Sequence, residues 1–154
     1  MDHPQSLSNV APFRAQTGSV AETEALAARL AQTAQSGWVI GLHGDLGAGK
    51  TAFSRGFARG LGCPGRVHSP TFALMNAYRG GRCPLQHLDL YRLNFAADVT
   101  AAGLEEYLLQ PEGITLVEWA ERWINGGAVP PNWRQVHLEV LGENERSLVC
   151  DWHP

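Results

Sequence analysis

The sequence lacks several features that mark whole classes of protein. Its three cysteines, Cys63, Cys83 and Cys150, are an odd number without a C-x-x-C pair, which argues against a disulfide framework and fits a reducing compartment. No run reaches the roughly 18 apolar residues of a membrane span, and no basic segment followed by an apolar core opens the chain as in a secretory signal. We therefore expect a cytoplasmic protein without a membrane anchor.

An excess of positive charge is also missing. Twelve Lys and Arg stand against 15 Asp and Glu, which gives a formal net charge of −3 and no overall attraction to nucleic acid. The 154 residues are 44% hydrophobic and 18% charged, as in ordinary globular proteins. We expect one domain over residues 1–154, with residues 1–9 flexible, and any contact with RNA to run through a local patch or through partner proteins.

What the chain does contain is a phosphate-binding signature. Residues 44–51 read GDLGAGKT and match G-x-x-x-x-G-K-[ST], the Walker A motif, at every fixed position. Triphosphate oxygens require backbone N–H groups that converge on one point, and a glycine-rich loop supplies them. The following helix adds its positive N-terminal end, Lys50 can reach the β- and γ-phosphates, and the Thr51 hydroxyl can bind Mg²⁺.

The flanks of the motif have the required pattern. Residues 38–43 form an apolar run typical of a buried parallel strand, and Phe53, Phe57 and Leu61 recur every four residues on a helix that Gly62 can end. Strand, loop and helix therefore come in the order of a nucleotide-binding unit.

The rest of the chain predicts an α/β fold. We expect an edge strand near residues 10–16, a helix from a capping box at residues 19–22 to about Gln35, and a hairpin across Gly80-Gly81. Short helices interrupted at Gly103 precede a buried strand at residues 114–117, and two alternating strands meet at a turn over residues 142–146. The sum is a P-loop NTPase-like three-layer sandwich whose mixed sheet is parallel around the P-loop and antiparallel at the margins.

A P-loop needs a further carboxylate to orient Mg²⁺ and to position the attacking water. Two acids follow apolar strands, Asp89 in HLDLYR and Glu118 in LVEW. Glu118 has the better strand context and Asp89 the denser polar neighbourhood. We assign Glu118 to the metal together with Thr51, and leave Asp89 either close to that metal or aligning the water.

Other candidates surround these residues. Ser69-Pro70-Thr71 brackets a stiff proline with two hydroxyl groups and is a candidate switch for sensing the γ-phosphate, the alternative being an ordinary turn. Trp119 is a candidate for packing near the nucleotide, or a core residue, and Arg146 for reaching phosphate or adenine. The full set of candidate nucleotide-binding residues is Asp45, Leu46, Gly47, Ala48, Gly49, Lys50, Thr51, Ala52, Ser69, Thr71, Trp119 and Arg146.

Taken together, GDLGAGKT, then SPTF at residues 69–72, HLDLYR at 87–92 and VEW at 117–119 resemble the TsaE (YjeE) ATPases. The resemblance runs from about Thr23 to Arg146. It implies a bacterial ATPase that is needed to make threonylcarbamoyladenosine beside the anticodon of tRNA, that binds the TsaB–TsaD pair, and whose hydrolysis resets that transferase.

The resemblance also implies roles for single residues. Lys50 and the loop amides would hold the phosphates of ATP, and Thr51 and Glu118 would hold Mg²⁺. Asp89 would support hydrolysis, residues 69–72 would act as the switch, and Trp119 would lie near the nucleotide.

Two other functions remain open at this point. A small-molecule kinase would use the same P-loop but ordinarily needs an arginine-rich lid, and residues 94–113 contain no arginine. A non-hydrolysing interaction module would bind nucleotide as a switch, and would fail to hydrolyse ATP even with its partners. We expect hydrolysis that is slow in isolation, because no arginine finger is evident around the loop.

Overall fold

The computed structural model describes residues 11–65, 67 and 74–154, and Ser69 and Thr71 lie outside this part of the chain. The strands within it are β1 (Phe13–Thr17), β2 (Val39–His43), β3 (Met75–Tyr78), β4 (Leu85–Asp89), β5 (Ile114–Glu118), β6 (Trp133–Val140) and β7 (Arg146–Cys150). The helices are α1 (Val20–Thr33), α2 (Lys50–Gly60), α3 (Ala96–Ala101), α4 (Glu105–Leu109) and α5 (Glu121–Ile124).

All described strands form one mixed sheet in the order β1-β7-β6-β2-β5-β4-β3. The four central strands, β6, β2, β5 and β4, are parallel to one another, whereas β1, β7 and β3 join the sheet by antiparallel pairs. The predicted sheet, parallel around the P-loop and antiparallel at its margins, is thereby confirmed.

Both faces of the sheet are covered, which explains the uninterrupted apolar runs of its central strands. Along β2, Ile40 and Leu42 join the core beneath α1 and α2, and Val39 joins a second core with Val99 of α3 and Trp123 of α5. The short helix α5 was not predicted, because four residues are too few for a periodic pattern. Val140 continues the alternation of β6 in sequence but is exposed.

The N-terminal strand begins at Phe13, three residues later than predicted, and ends one residue later, at Thr17. Pro12 therefore precedes the strand, which suits a residue without an N–H group, and β1 lies at an edge of the sheet. In the next turn, Ser19 accepts the Glu22 amide hydrogen as predicted, but the Glu22 carboxylate accepts from Gly18 N–H instead of closing a capping box on Ser19.

The helix after the P-loop packs against α1 at unusually close range. A Cβ atom at Gly56 would overlap the carbonyl oxygen of Glu24, and one at Gly60 would overlap that of Ala28. These two glycines, four residues apart on one face of α2, let the two helix backbones approach each other. They thus set the distance between α1 and α2.

Among the described residues, no helix combines the length and the apolar character needed to cross a lipid bilayer.

Candidate active site

An open cleft lies where the parallel strands β2, β4 and β5 end. Parallel strands bring their carboxyl ends to the same edge, which is where open α/β sheets bind ligands. The cleft has a volume of about 370 Å³ and joins the P-loop with the ends of β4 and β5. Its lining consists of Leu46, Gly47, Gly49, Lys50, Thr51, Ala52, Asp89, Tyr91, Glu118 and Trp119.

The loop between β2 and α2 has a backbone that only some residues tolerate. Gly49 is the N-cap of α2 with φ of 106°, a left-handed conformation in which a Cβ atom is strained. Ala48 donates its N–H to the carbonyl of Asp45 at 3.0 Å, which closes a tight turn within the loop. The first residues of α2, whose N–H groups have no partner within a helix, line the cleft, and the positive end of the helix dipole lies there.

Lys50 is held at the mouth of this loop. Its Nζ donates to the carbonyl of Gly44 and, at 3.3 Å, to that of Asp45, and it lies 3.9 Å from the centroid of the Trp119 ring. Burial lowers the pKa of Lys50 below its usual value, while the carboxylates of Glu118 and others nearby oppose this shift. The cation thus lies between the loop carbonyls and the Trp119 ring with limited hydration.

Trp119 has an unusual backbone. Its φ is 58°, a conformation that costs energy for any residue with a Cβ atom, and it comes directly after Glu118. The turn aims the indole ring at Lys50, and the ring also packs against Tyr91 with 5.0 Å between centroids. The aromatic side chain therefore forms a wall of the cleft.

Three side chains form a line from α2 across β5 to β4. The Thr51 hydroxyl donates to Oε1 of Glu118 at 3.3 Å, and Oε2 of Glu118 lies 2.6 Å from Nε2 of His87. Glu118 is only 3% exposed and His87 is fully buried. A buried carboxylate with a partner on each oxygen is confined to one orientation.

Asp89 is the register partner of Glu118 on the neighbouring strand but has different surroundings. It is partly exposed, and its Oδ1 accepts the N–H of Tyr91 at 3.0 Å. The bond belongs to the turn that ends β4, and Asp89 lines the open cleft.

The chemistry of the donors can be compared with that of Mg²⁺. The Thr51 hydroxyl and the Glu118 carboxylate are hard oxygen ligands already within 3.3 Å of each other, and such sites usually bind Mg²⁺ through one or two protein oxygens plus phosphate and water. These two residues therefore fit the ion. Over residues 11–65, 67 and 74–154, no group of three or more His, Cys, Asp and Glu is arranged to hold a metal.

Arg146 contacts the phosphate loop from its other side. Its Nη2 donates to the carbonyl of Gly47 at 3.1 Å, and its Nη1 donates to carbonyls of the β6–β7 turn, including that of Gly142 at 2.9 Å. It lines a smaller cleft of about 110 Å³ that shares Gly47, Gly49 and Ala52 with the larger one. Arg146 thus ties the C-terminal hairpin to the P-loop.

The structure gathers most of the predicted site residues in one place. Ala48 contributes its backbone only, since its side chain is buried in the core. Asp45 accepts from Lys50 through its carbonyl oxygen, and its carboxylate acts to raise the pKa of Lys50. The predicted switch residues Ser69 and Thr71 lie outside the described residues. Sequence reasoning missed His87 as the partner of Glu118, although the signal was present, since His87 precedes Asp89 by two residues and so shares its face of β4.

A family model described as "Threonylcarbamoyl adenosine biosynthesis protein TsaE" matches residues 17–148. A Bacillus subtilis protein named "tRNA threonylcarbamoyladenosine biosynthesis protein TsaE" is 41% identical over 128 residues, covering 83% of this chain and 78% of that one. A Synechocystis protein of the same name is 52% identical over 97 residues, 61% of each chain. The crystal structure of Bacillus subtilis YdiB matches with a TM-score of 0.74 and 36% identity over 92% of this chain and 85% of that one.

Proposed function

The chain belongs to the TsaE family, and from this premise we propose that it is a Mg²⁺-dependent ATPase required for threonylcarbamoylation of the adenosine next to the anticodon in tRNA. The observation that carries the proposal is the convergence of Lys50, Thr51 and Glu118 on one cleft at the end of the parallel strands. A phosphate-binding loop with a metal-binding pair beside it supports phosphoryl transfer.

The P-loop would bind the triphosphate. Its backbone N–H groups and the helix dipole of α2 favour anionic oxygens, and the Lys50 ammonium neutralises charge on the β- and γ-phosphates. Lys50 would exchange its bonds to the carbonyls of Gly44 and Asp45 for bonds to phosphate. Trp119 keeps one side of this position apolar and so limits its hydration.

Thr51 and Glu118 would hold Mg²⁺ through the hydroxyl oxygen and the Oε1 atom. The ion, when bound, neutralises charge that develops on the phosphate oxygens. Glu118 is suited to this task because its orientation is already fixed by its contacts.

Asp89 would orient the water that attacks the γ-phosphorus. Its partly exposed carboxylate at the edge of the cleft can accept a hydrogen bond from that water and take up its proton. Attack forms the new P–O bond while the bond to the leaving oxygen of ADP breaks. The alternative is that Asp89 binds Mg²⁺ directly.

We propose TsaB and TsaD as protein partners, with tRNA reached through their complex. The resemblance to TsaE supports the partners, and the net charge of −3 supports indirect contact with tRNA, since the chain as a whole does not attract a polyanion. We also propose that residues 1–154 act as a single domain and that the protein acts in the cytoplasm, where tRNA is modified.

The test is ATP hydrolysis by the purified chain, alone and with TsaB and TsaD, with and without substrate tRNA, together with analysis of the tRNA for the modification. We expect slow hydrolysis alone, faster hydrolysis in the complex and repeated rounds of modification. Lys50→Ala, which removes the charge opposite the triphosphate, should abolish ATP binding. Unchanged ATP affinity in Lys50→Ala would refute the site.

Two outcomes lead to the rival functions. ATP binding without any hydrolysis in the assembled complex identifies a nucleotide-dependent interaction module. ATP binding without association with TsaB and TsaD leaves a P-loop protein of another activity, and a screen for phosphoryl acceptors then tests for a kinase.

A further inference from the structure

His87 lies under the cleft and has no role in the proposed binding of ATP and Mg²⁺. It is fully buried in the middle of β4, in register with Leu116 of β5. Paired residues of parallel strands point to the same face of the sheet, so His87, Leu116 and Glu118 share the face that α2 covers. A buried imidazole ring on this apolar face calls for a structural or functional explanation.

The ring has one partner among the described residues. Its Nε2 lies 2.6 Å from Oε2 of Glu118, whereas Nδ1 is buried without a hydrogen-bond partner in the part of the chain that the structure describes. A proton on Nδ1 would be a buried donor without an acceptor, which is costly, while a bare Nδ1 lone pair costs less. We therefore place the ring proton on Nε2, which donates to Glu118.

This bond decides which oxygen of Glu118 is available. Oε2 is taken by His87, and Oε1 remains beside the Thr51 hydroxyl at 3.3 Å, at the edge of the cleft. Without the ring, the carboxylate could rotate and present either oxygen, or bend away towards Lys50. The ring thus removes the orientations in which Glu118 and Thr51 do not face the same point.

We propose that His87 is a positioning residue for Glu118 and holds Oε1 towards the metal that Thr51 and Glu118 bind. This inference rests on the proposed function, because it takes Glu118 as a ligand of Mg²⁺. Partners of this kind behind a metal ligand typically change metal affinity about 10–100-fold when removed.

The experiment compares nucleotide affinity with and without the metal, and needs no turnover. ADP binding is measured by calorimetry in excess Mg²⁺ and in EDTA, and the ratio of the two affinities is the gain due to Mg²⁺. In His87→Leu we expect this gain to fall about 10–100-fold. We expect the affinity in EDTA to change by less than about twofold, because Lys50 and the loop are untouched.

Two matched variants separate positioning from packing. His87→Gln keeps an N–H donor near the Nε2 position and should recover most of the gain. Gln86→Leu changes a buried polar residue of the same strand whose side chain points to the other face, and should leave the gain at the wild-type value. A wild-type gain in His87→Leu, or an equal loss in His87→Gln, overturns the proposal.

A second measurement uses the unaltered protein and so does not depend on the folding of any variant. Nitrogen NMR of the histidine rings should give His87 a protonated Nε2 and a bare Nδ1, both without nucleotide and with Mg²⁺ and ADP. A proton on Nδ1 instead would contradict the proposal.

Failure of this inference is distinguishable from failure of the proposed function. If the wild-type complex hydrolyses ATP and modifies tRNA while His87→Leu keeps the gain in ADP affinity due to Mg²⁺, only the proposed role of His87 is refuted. If the gain depends on His87 but no hydrolysis occurs with TsaB and TsaD, the ATPase proposal falls and the positioning role stands.

Discussion

The ends of β4 and β5 carry two carboxylates that backbone pairing places side by side, Asp89 and Glu118, and yet their surroundings differ in almost every respect. Glu118 is buried, and each of its oxygens has a side-chain partner from another element, His87 on β4 and Thr51 on α2. Asp89 is partly exposed, and its Oδ1 accepts the amide hydrogen of Tyr91 two residues away.

Register therefore determines where a carboxylate lies, whereas long-range packing determines what it can do. A carboxylate fixed by neighbours suits a metal ligand, because the cost of ordering it is met during folding. A carboxylate at an exposed turn keeps access to water and suits a group that exchanges protons with it.

Glu118→Gln should lower ATP hydrolysis by the complex with TsaB and TsaD by roughly 100–1000-fold, the loss expected when several kcal/mol of stabilisation by a metal are removed. The neutral amide keeps the volume of the side chain but is a poorer ligand for Mg²⁺. Phosphate release at saturating ATP measures the effect. Glu121→Gln is the control, since that acid lies near Lys50 but faces His43 at 3.7 Å. If Glu118→Gln keeps hydrolysis within about threefold of wild type, Asp89 and not Glu118 is the metal ligand.

Asp89→Asn should lower hydrolysis by about 10–100-fold, less than a full acid–base contribution because water can partly replace an exposed group. The affinity for ADP in Mg²⁺ should stay within about twofold of wild type. Phosphate release and calorimetry measure the two quantities. If Asp89→Asn instead abolishes the increase in ADP affinity caused by Mg²⁺, Asp89 is a metal ligand. The two carboxylates would then share one role.

Thr51→Val should lower the gain in ADP affinity due to Mg²⁺ by about tenfold, because it removes one of two oxygen ligands without changing the shape of the side chain. Thr51→Ser keeps the hydroxyl and should retain most of the gain. Combined with Glu118→Gln the effects should be less than additive, since the two residues touch, whereas combined with Asp89→Asn they should add. The opposite pattern of additivity would contradict the pairing of Thr51 with Glu118.

Gly56→Ala should affect Asp89 and Glu118 least of the four variants, but it should clearly lower the stability of the fold. The added methyl group meets the Glu24 carbonyl, so we expect a loss of about 1–2 kcal/mol in the free energy of unfolding after the gain in helix propensity is subtracted. Urea unfolding measures it. Gly126→Ala, whose Cβ would lie 3.7 Å from that of Ala96, should be nearly neutral. Hydrolysis per folded molecule should stay within about threefold of wild type, and a larger loss would mean that α2 shifts the site.

The sequence predicts the parts of this site that local patterns control. The apolar run of β2, the glycine loop and the spacing of Phe53 and Phe57 give a strand, a turn and a helix, because each depends on neighbours a few residues away. The positions of Asp89 and Glu118 follow in the same way, as acids at the ends of apolar strands.

Contacts between elements could not be predicted in this way. The bond from His87 to Glu118 joins residues 31 positions apart and depends on the register of β4 with β5, which no single-strand pattern contains. The left-handed backbone of Trp119 and the contact of its ring with Lys50 likewise require the assembled sheet edge. Helix α5 escaped prediction because so short an element is formed by its packing and not by its propensity.

The bond from Arg146 to Gly47 spans 99 positions of sequence. A ribosome adds about 5–20 residues per second, so the loop is synthesised roughly 5–20 s before the arginine that braces it. In that interval the sheet also lacks β7, and β1 has no strand to pair with. Assembly of the phosphate loop is thus coupled to the end of synthesis. A nascent chain that contains residues 44–51 but not yet Arg146 lacks the contact that braces the loop, and so cannot hold a nucleotide in the final geometry.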